Sequence, residues 1–334
     1  MTKWDKDYLE LCKRILKEGK EVENRTGINT IKVPSHHFHF DLGEEFPILQ
    51  TKQLFFRNAI TEILWIYQAQ SNDVKWLHER NNHVWDEWMI DEDGIYRTYE
   101  NGKEEKILKS EKNFGKEFAG TIGTAYGWIV NKYKLTDKLL DALKNNRADR
   151  RLIMSLWQDE WLKTAVLPSC VWSSEWDITD GKLNAWVHQR SCDVPLGLPF
   201  NVTQYATLLN LFAKSTGLEP GTLDWSIKDA HIYVNQVDGI KEQIQNGEIL
   251  DSVNNLSKKD LISIKKELEN LKELDFNQEK SLKAIEIGLS EEKPHLWVNP
   301  EIKNFYDYDN SRELKDIKVK EYKHMGKISF PISQ

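Results

Sequence analysis

Three stretches of the 334-residue chain gather side chains able to do chemistry. The first is 167-LPSCVWSSEWDI-178, where Cys170 falls between Pro168 and an alternating, strand-like run. A thiol so placed is a packed side chain, half of a disulfide, a metal ligand or a nucleophile, and the rest of the chain has to choose. The second is 190-RSCDVPLGLPFN-201, which supplies Arg190, Ser191, Asp193 and Asn201. Pro195, Gly197 and Pro199 force irregular backbone there between a strand and a helix, and loops fixed by rigid elements are where ligand-binding groups tend to sit. Asn201 falls where the helix starts, so a plain N-cap is its competing role. The third is 229-DAHIYVN-235, where His231 and Tyr233 share one face of a strand. Paired donors of that kind suit a sugar hydroxyl, and they suit an exposed polar strand equally well.

The formal net charge is -7, so the whole-molecule field does not draw in nucleic acid or anionic lipid. An anionic ligand has to be held by a local cluster instead. Arg190, Arg25 and the RADRR run at 147–151 supply guanidinium groups far apart in sequence, and arginine binds phosphate bidentately. An arginine beside Cys170 would also favour the thiolate, lowering its pKa from about 8.5. A phosphate clamp, an activated thiolate and an amide able to read a base edge together suit covalent chemistry on a nucleotide. VWDEW (84–88) adds Trp85 and Trp88. On a helix they would form a flat wall for a planar heterocycle, or pack in a core.

These residues need elements to position them. Tyr8, Leu11, Cys12 and Ile15 follow a helical spacing over 5–18, with Gly19 to stop it, and Cys12 packs in a core on this pattern. HHFHFDL (36–42), LIMSLW (152–157) and VWSSEWDI (171–178) read as strands, and RNAITEILWIYQA (57–69) reads as an apolar helix carrying one acid, Glu62. DGK (180–182) is a hairpin signal. After it, Leu183, Ala185 and Val187 share one strand face, and Asn184, Trp186, His188 and Arg190 the other. A helix with Tyr205, Leu208, Leu209 and Phe212 on one stripe follows, closed by Gly217 and Pro220. Residues 91–119 and 246–293 are charged and read as surface insertions, the second a solvated helix pair. Three cysteines without a CxxC pair argue against a disulfide framework or a zinc site and fit a reduced, cytoplasmic setting. No signal peptide or apolar run of about 20 residues is evident, so no membrane partner is expected.

Together the motifs resemble the thymidylate synthase family. PSC (168–170) resembles its nucleophile motif, RSCDVPLGLPFN its RSxDxxLGxPFN signature and DAHIYVN its DxHxYxN motif. RTG (25–27), ILWIYQ (63–68), VWDEW (84–88), GTAYG (123–127) and DRR (149–151) match in order. The resemblance implies one α+β domain over 1–334, a mixed sheet flanked by helices, with a sheet face forming a homodimer interface. It implies reductive methylation of dUMP to dTMP by 5,10-methylenetetrahydrofolate, with no metal. On that basis Cys170 would attack ring carbon C6. Arg25, Arg190 and Ser191 would hold the phosphate, with Arg150 and Arg151 contributed by the partner subunit. Asn201 would bond the uracil edge, and His231 and Tyr233 the ribose. Asp193 would contact base and pterin, and Glu62 and Tyr126 would move protons. Trp85, Trp88, Lys52 and, in the tail, Ser333 would meet the folate.

The chain departs from the family pattern at Val171, Lys228 and Gln236, at Phe55, where histidine is frequent, and in its FPISQ tail. Cys192 has no role in the pattern and is taken as packing. A hydroxymethylase on the same scaffold would let water, instead of hydride, meet the one-carbon intermediate. Asn201 favours uracil over cytosine, and Trp85 with a closing tail favours exclusion of water. A non-catalytic nucleotide- or RNA-binding regulator fits poorly with acidic charge and an intact nucleophile, and RNA binding is not indicated.

Overall fold

The computed structural model describes residues 1–100 and 107–333. In chain order, α1 (Lys3–Glu18) precedes β1 (Lys20–Val22) and β2 (Thr30–Asp41). Helices α2 (Phe56–Tyr67) and α3 (Val74–His78) lead to a hairpin of β3 (Ile95–Tyr99) and β4 (Leu108–Asn113). Next come α4 (Gly127–Tyr133), α5 (Leu135–Asn145), β5 (Ile153–Ser155), β6 (Val171–Thr179), β7 (Lys182–Gln189) and β8 (Cys192–Asp193). Then follow α6 (Gly197–Thr216), β9 (Glu219–Tyr233), α7 (Val237–Asn254), α8 (Lys258–Glu269) and α9 (Phe276–Gly288). A small antiparallel pair, β10 (His295–Val298) and β11 (Ile317–Lys320), lies near the end.

The main sheet has seven strands in the order β1-β2-β9-β7-β6-β5, with β8 also paired to β9. β7 and β8 run parallel to β9 and the other pairs are antiparallel, so the sheet is mixed. The DGK signal is a tight turn between β6 and β7. Asp180 and Gly181 there have φ of 51° and 75°, the left-handed pair whose twist matches a two-residue hairpin.

Alternation sorts the sheet into two faces. Trp176, Leu183, Ala185, Val187, Leu223, Trp225 and Ile227 are buried on the inner one. Against it packs α6, and α2 packs on α6. Both helices are apolar nearly all round, which marks interior helices; Glu62 is the one acid carried inside by α2. The outer face carries Trp172, Trp186 and His188, with His37 and His39 both on Asp224. Trp186 is 48% exposed there.

A buried carboxylate ties the first helix to the segment before α2. Asp5 accepts from Thr2 Oγ1, from Gln50 N and from Thr51 N and Oγ1. All three cysteines are free thiols, Cys12 and Cys192 buried in the core. Among the described residues no helix is long and apolar enough to cross a membrane.

Several expectations need correction. The first charged stretch is a β-hairpin, of which 101–106 lie outside the described residues. It lies on the surface, with β4 exposed along its length, and Lys109 Nζ ties it to the carbonyls of Arg25 (2.9 Å) and Thr26 (3.0 Å). The second is not a solvated helix pair starting at 246. Helix α7 begins at Val237, and its Gln243 and Asn246 are buried, bonded to Thr51. The end of α7 shares with α8, α9 and Met325 a separate small core of Leu250, Val253, Leu261, Ala284, Ile285 and Ile287. Trp85 and Trp88 lie around a single 3-10 turn, not on an α-helix. Pro220 does not end α6, which closes on Gly217; it sits at the start of β9.

Candidate active site

Cys170 and Arg190 meet because they flank the turn-linked strands β6 and β7. Arg190 N donates to Cys170 O at 2.9 Å, continuing that ladder by one rung. The guanidinium is then held by two carbonyls, Nε on Ser169 O (3.0 Å) and Nη2 on Pro168 O (2.6 Å), with Nη2 3.9 Å from Cys170 Sγ. The thiol is nonetheless less acidic than an ordinary cysteine. Burial pushes its pKa up, and the pull of Arg190 and Arg25 does not cancel that. The expected lowering by a neighbouring arginine is present, but in the free chain burial outweighs it.

Two cavities open on either side of Cys170. The outer one, about 680 Å³, is lined by Arg25, Lys32, Arg190, Ser191, Asp229, His231 and Tyr233 among others. Its lining holds cations and hydroxyls with two carboxylates, Glu23 and Asp229. Asp229 receives Lys32 Nζ (2.7 Å) and His231 Nδ1 (3.1 Å). Those contacts, the His231 bond first, hold its pKa down to about 2. His231 and Tyr233 lie edge to face with ring centroids 5.2 Å apart.

The inner cavity, about 160 Å³, is lined by Glu62, Trp85, Tyr126, Asp193, Asn201 and Gln204, and it shares Cys170 and Ser191 with the outer one. A directional chain of hydrogen bonds runs through it. Trp225 Nε1 donates to Gln189 Oε1 (3.0 Å), and Gln189 Nε2 to Asn201 Oδ1 (3.2 Å). Asn201 Nδ2 donates to Gln204 Oε1 (3.1 Å), and Gln204 Nε2 to Glu62 Oε2 (2.8 Å). Trp85 Nε1 closes the chain on Glu62 Oε1 at 2.8 Å. Burial raises the Glu62 pKa to about 7, against the stabilising bonds from Trp85 and Gln204. Such a carboxyl exchanges protons near neutrality.

Asn201 is not a helix cap. Helix α6 starts at Gly197, because Pro199 is tolerated in a first turn, and Asn201 lies one turn further in. Its amide has two N–H groups and two oxygen lone pairs, of which Gln204 and Gln189 take one each. One donor and one acceptor remain, side by side, on an amide whose orientation its neighbours fix.

Tyr126 is held at φ 47°, a conformation costly for a non-glycine residue and frequent at functional sites. Its hydroxyl accepts from Cys170 N at 3.1 Å, and its ring lies 5.3 Å from that of Trp85. Burial and the neighbouring Cys170 push its pKa well up, so it stays protonated. Asp193 accepts from Leu196 N (3.1 Å) and Gln236 Nε2 (3.2 Å), and burial raises its pKa. Gln236 Nε2 also reaches Pro331 O at 3.1 Å, joining Asp193 to the tail.

The remaining site residues scatter. Lys52 is buried, donates to Pro195 O, and lies 4.8 Å from the Phe330 ring centre. Burial pulls its pKa down to about 8. Trp88 lies edge to face with Trp85, centroids 5.5 Å apart, so the pair is a corner and not a flat wall. Ser333 Oγ is enclosed, without a hydrogen-bond partner among the described residues. Arg150 and Arg151 lie outside both cavities, and Arg151 is paired with Asp149 at 2.9 Å. Gln189, Gln204 and Lys32 were not singled out from sequence; only their position beside named motifs could have marked them.

A family model described as thymidylate synthase matches residues 6–290. The chain belongs to the thymidylate synthase family. A thymidylate synthase of Clostridium beijerinckii is 40% identical over 333 residues, covering 100% of both chains. The thymidylate synthase 1 of Bacillus subtilis is 31% identical over 352 residues, again with full coverage of each. The solved thermostable thymidylate synthase A from Bacillus subtilis superposes with a TM-score of 0.72 at 32% identity, covering 99% of each chain. The mixed sheet and flanking helices described above are thus the fold of this family, and the two cavities around Cys170 are its candidate active site.

Proposed function

We propose that this chain is a methyltransferase that makes dTMP from dUMP with 5,10-methylenetetrahydrofolate as one-carbon and hydride donor. The observation that carries the reading is the position of Cys170, the thiol at the mouth between a cationic cleft and a small polar pocket. A nucleotide spans these two environments: phosphate and ribose in the outer cavity with Arg25, Arg190, Ser191, His231 and Tyr233, uracil in the inner one against Asn201. The spare acceptor and donor of Asn201 match the N3–H and O4 of uracil. Arg190 fits both a phosphate and the developing thiolate.

Covalent addition of Cys170 to C6 makes C5 an enolate carbon able to attack a one-carbon unit. Burial holds the thiol protonated until the substrate arrives, so proton removal belongs to the bound state. Glu62, poised near neutrality, exchanges protons with the base edge, and Tyr126, still protonated, is placed to donate beside Cys170. The remaining N–H of Asn201, on an amide held by Gln189 and Gln204, supplies a donor already oriented toward O4. When bound, 5,10-methylenetetrahydrofolate supplies the one-carbon unit and the hydride. The residues available to hold it are Trp85, Trp88, Asp193, Lys52 and Ser333. The unpartnered Ser333 hydroxyl and the Gln236 link between Asp193 and Pro331 support a tail that packs over the site and excludes water; Gln334 lies outside the described residues.

We also infer that residues 1–334 act as one catalytic domain, in the cytoplasm, as a homodimer joined through the outer sheet face. The exposed Trp172 and Trp186 support that face. Arg150 and Arg151 would then enter the partner subunit's cleft. Nothing in the site favours water capture or a purely regulatory role. The test is incubation with dUMP and methylenetetrahydrofolate, followed by mass identification of the nucleotide: an added methyl supports the reading, an added hydroxymethyl or unchanged dUMP overturns it.

A further inference from the structure

Behind the inner cavity a second cluster has no part in the chemistry above. His78 ends α3, and His83 and Asp86 follow across a short loop. His78 Nε2 lies 2.6 Å from Asp86 Oδ1, and His83 Nδ1 lies 2.9 Å from Asp86 Oδ2. The two imidazoles are stacked, centroids 5.0 Å apart at 28°. One donor atom from each of the three residues falls within 4.8 Å of the others. A carboxylate accepts, so each imidazole here donates to Asp86, and the two oxygens are used one apiece.

We propose that His78 Nε2, His83 Nδ1 and a carboxylate oxygen of Asp86 form a binding site for a zinc-class divalent ion. Two imidazoles and a carboxylate are a ligand set zinc accepts, leaving a fourth position for water. Imidazole nitrogens select transition ions over calcium and magnesium, which prefer oxygen. Tetrahedral zinc with bonds of about 2.0–2.1 Å needs its donor atoms roughly 3.3 Å apart. The two histidine–Asp86 distances lie within 1 Å of that value and all three atoms within 4.8 Å of one another, a gap that side-chain rotation closes. Each ring gives up its hydrogen bond to Asp86 by taking the opposite tautomer, with the proton on the nitrogen that faces away.

The intervening backbone is already fixed, which limits the ordering cost of binding. Asn81 sits at φ 56°. The buried Asn82 side chain donates to Asn58 O (3.0 Å) and Thr61 Oγ1 (2.8 Å). Arg80 is pinned on Trp76 and Asn310. The site also has an address. Asp86 follows Trp85, whose indole donates to Glu62, so a bound ion would brace the segment that holds Trp85 in place. This proposal stands apart from the nucleotide reading and does not depend on it.

Calorimetric titration of the chelator-stripped full chain with zinc chloride tests it, with cobalt(II) as a spectroscopic substitute. Wild type should take up one ion per chain. His83→Ala, at a side chain 59% exposed, should keep its circular dichroism and lose that uptake. Asp86→Asn should weaken it at least tenfold. His37→Ala, at the rival histidine pair on Asp224, should bind as wild type does. The cobalt spectrum should lack a thiolate charge-transfer band, since Cys170 is not a ligand. No uptake by wild type, unchanged uptake in His83→Ala, loss in His37→Ala, or a thiolate band would each overturn the assignment.

Discussion

The two cavities beside Cys170 solve opposite problems. The outer one is wide and gathers charge from distant places: Arg25 from a turn, Lys32 from β2, Arg190 from the end of β7, His231 from β9. The inner one is small, and an amide relay in it ends on the carboxyl of Glu62, with Asp193 also in its lining. Charge recognition tolerates distance and solvent, because Coulomb attraction falls off slowly. Reading a base edge does not, because a misdirected buried donor costs as much as a lost bond. Anchoring is therefore spread over many groups, each replaceable in part, while base reading is concentrated in a few groups that must all point correctly.

Cys170→Ala tests the boundary between the halves. Turnover should fall by at least roughly 10⁴-fold, the scale expected when a nucleophile is removed. dUMP binding, measured calorimetrically, should persist because the cationic groups of the outer cavity are untouched. Residual turnover near wild type would end the covalent mechanism.

The outer half carries a claim about the second subunit. Arg151→Glu and Cys170→Ala chains, each inactive alone, should regain part of the activity when mixed and allowed to exchange subunits. One hybrid site then has both a thiol and an intact partner arginine. Absence of recovery under proven exchange would confine Arg151 to the surface pairing with Asp149.

Asn201→Asp probes the inner half alone. A mismatched buried pair costs about 1–3 kcal/mol, roughly one to two decades. The ratio of kcat/KM for dUMP over dCMP should drop by that factor; an unchanged ratio would move base reading to another residue.

Gln204→Ala is the mildest and the most diagnostic. Its N–H stabilises the ionised Glu62, so removal should raise a pKa already near 7. The ionised fraction at neutral pH then falls, and the acid limb of the pH–rate profile moves to higher pH. The loss should be up to about tenfold per unit of displacement and should recover as pH rises. KM for dUMP should change little. A pH-independent loss would show that Gln204 only packs.

The same contrast explains what the sequence makes legible. Arg190, Ser191, His231 and Tyr233 sit in contiguous strings, RSCD and DAHIY, so type and spacing mark them, as they do not mark Lys32. The strand alternation around DGK and the apolar helix bearing Glu62 are equally local. The amide relay is not: Gln204 and Glu62 are separated by 142 positions, and glutamine has no conspicuous signature. Thiol acidity eluded the charge argument because burial is a property of the folded state and outweighs the arginines. Helix α6 starts before the sequence suggests, at Gly197, because proline and glycine read as loop although a first helical turn accepts proline. The charged stretch near 246 hid the earlier start of α7 because composition changes partway along a continuous helix.

The strand order also has a consequence in time. β2 pairs along its length with β9, Phe38 opposite Trp225, with most of the chain between them. Closing so long a loop costs entropy before any ladder bond forms. A ribosome that has released β2 but not β9 leaves Val33, Phe38 and Phe40 without the strand that shelters them. Such a half-paired edge is a template for aggregation. The interval between translating these two strands is when a nascent chain of this protein is most in need of a chaperone.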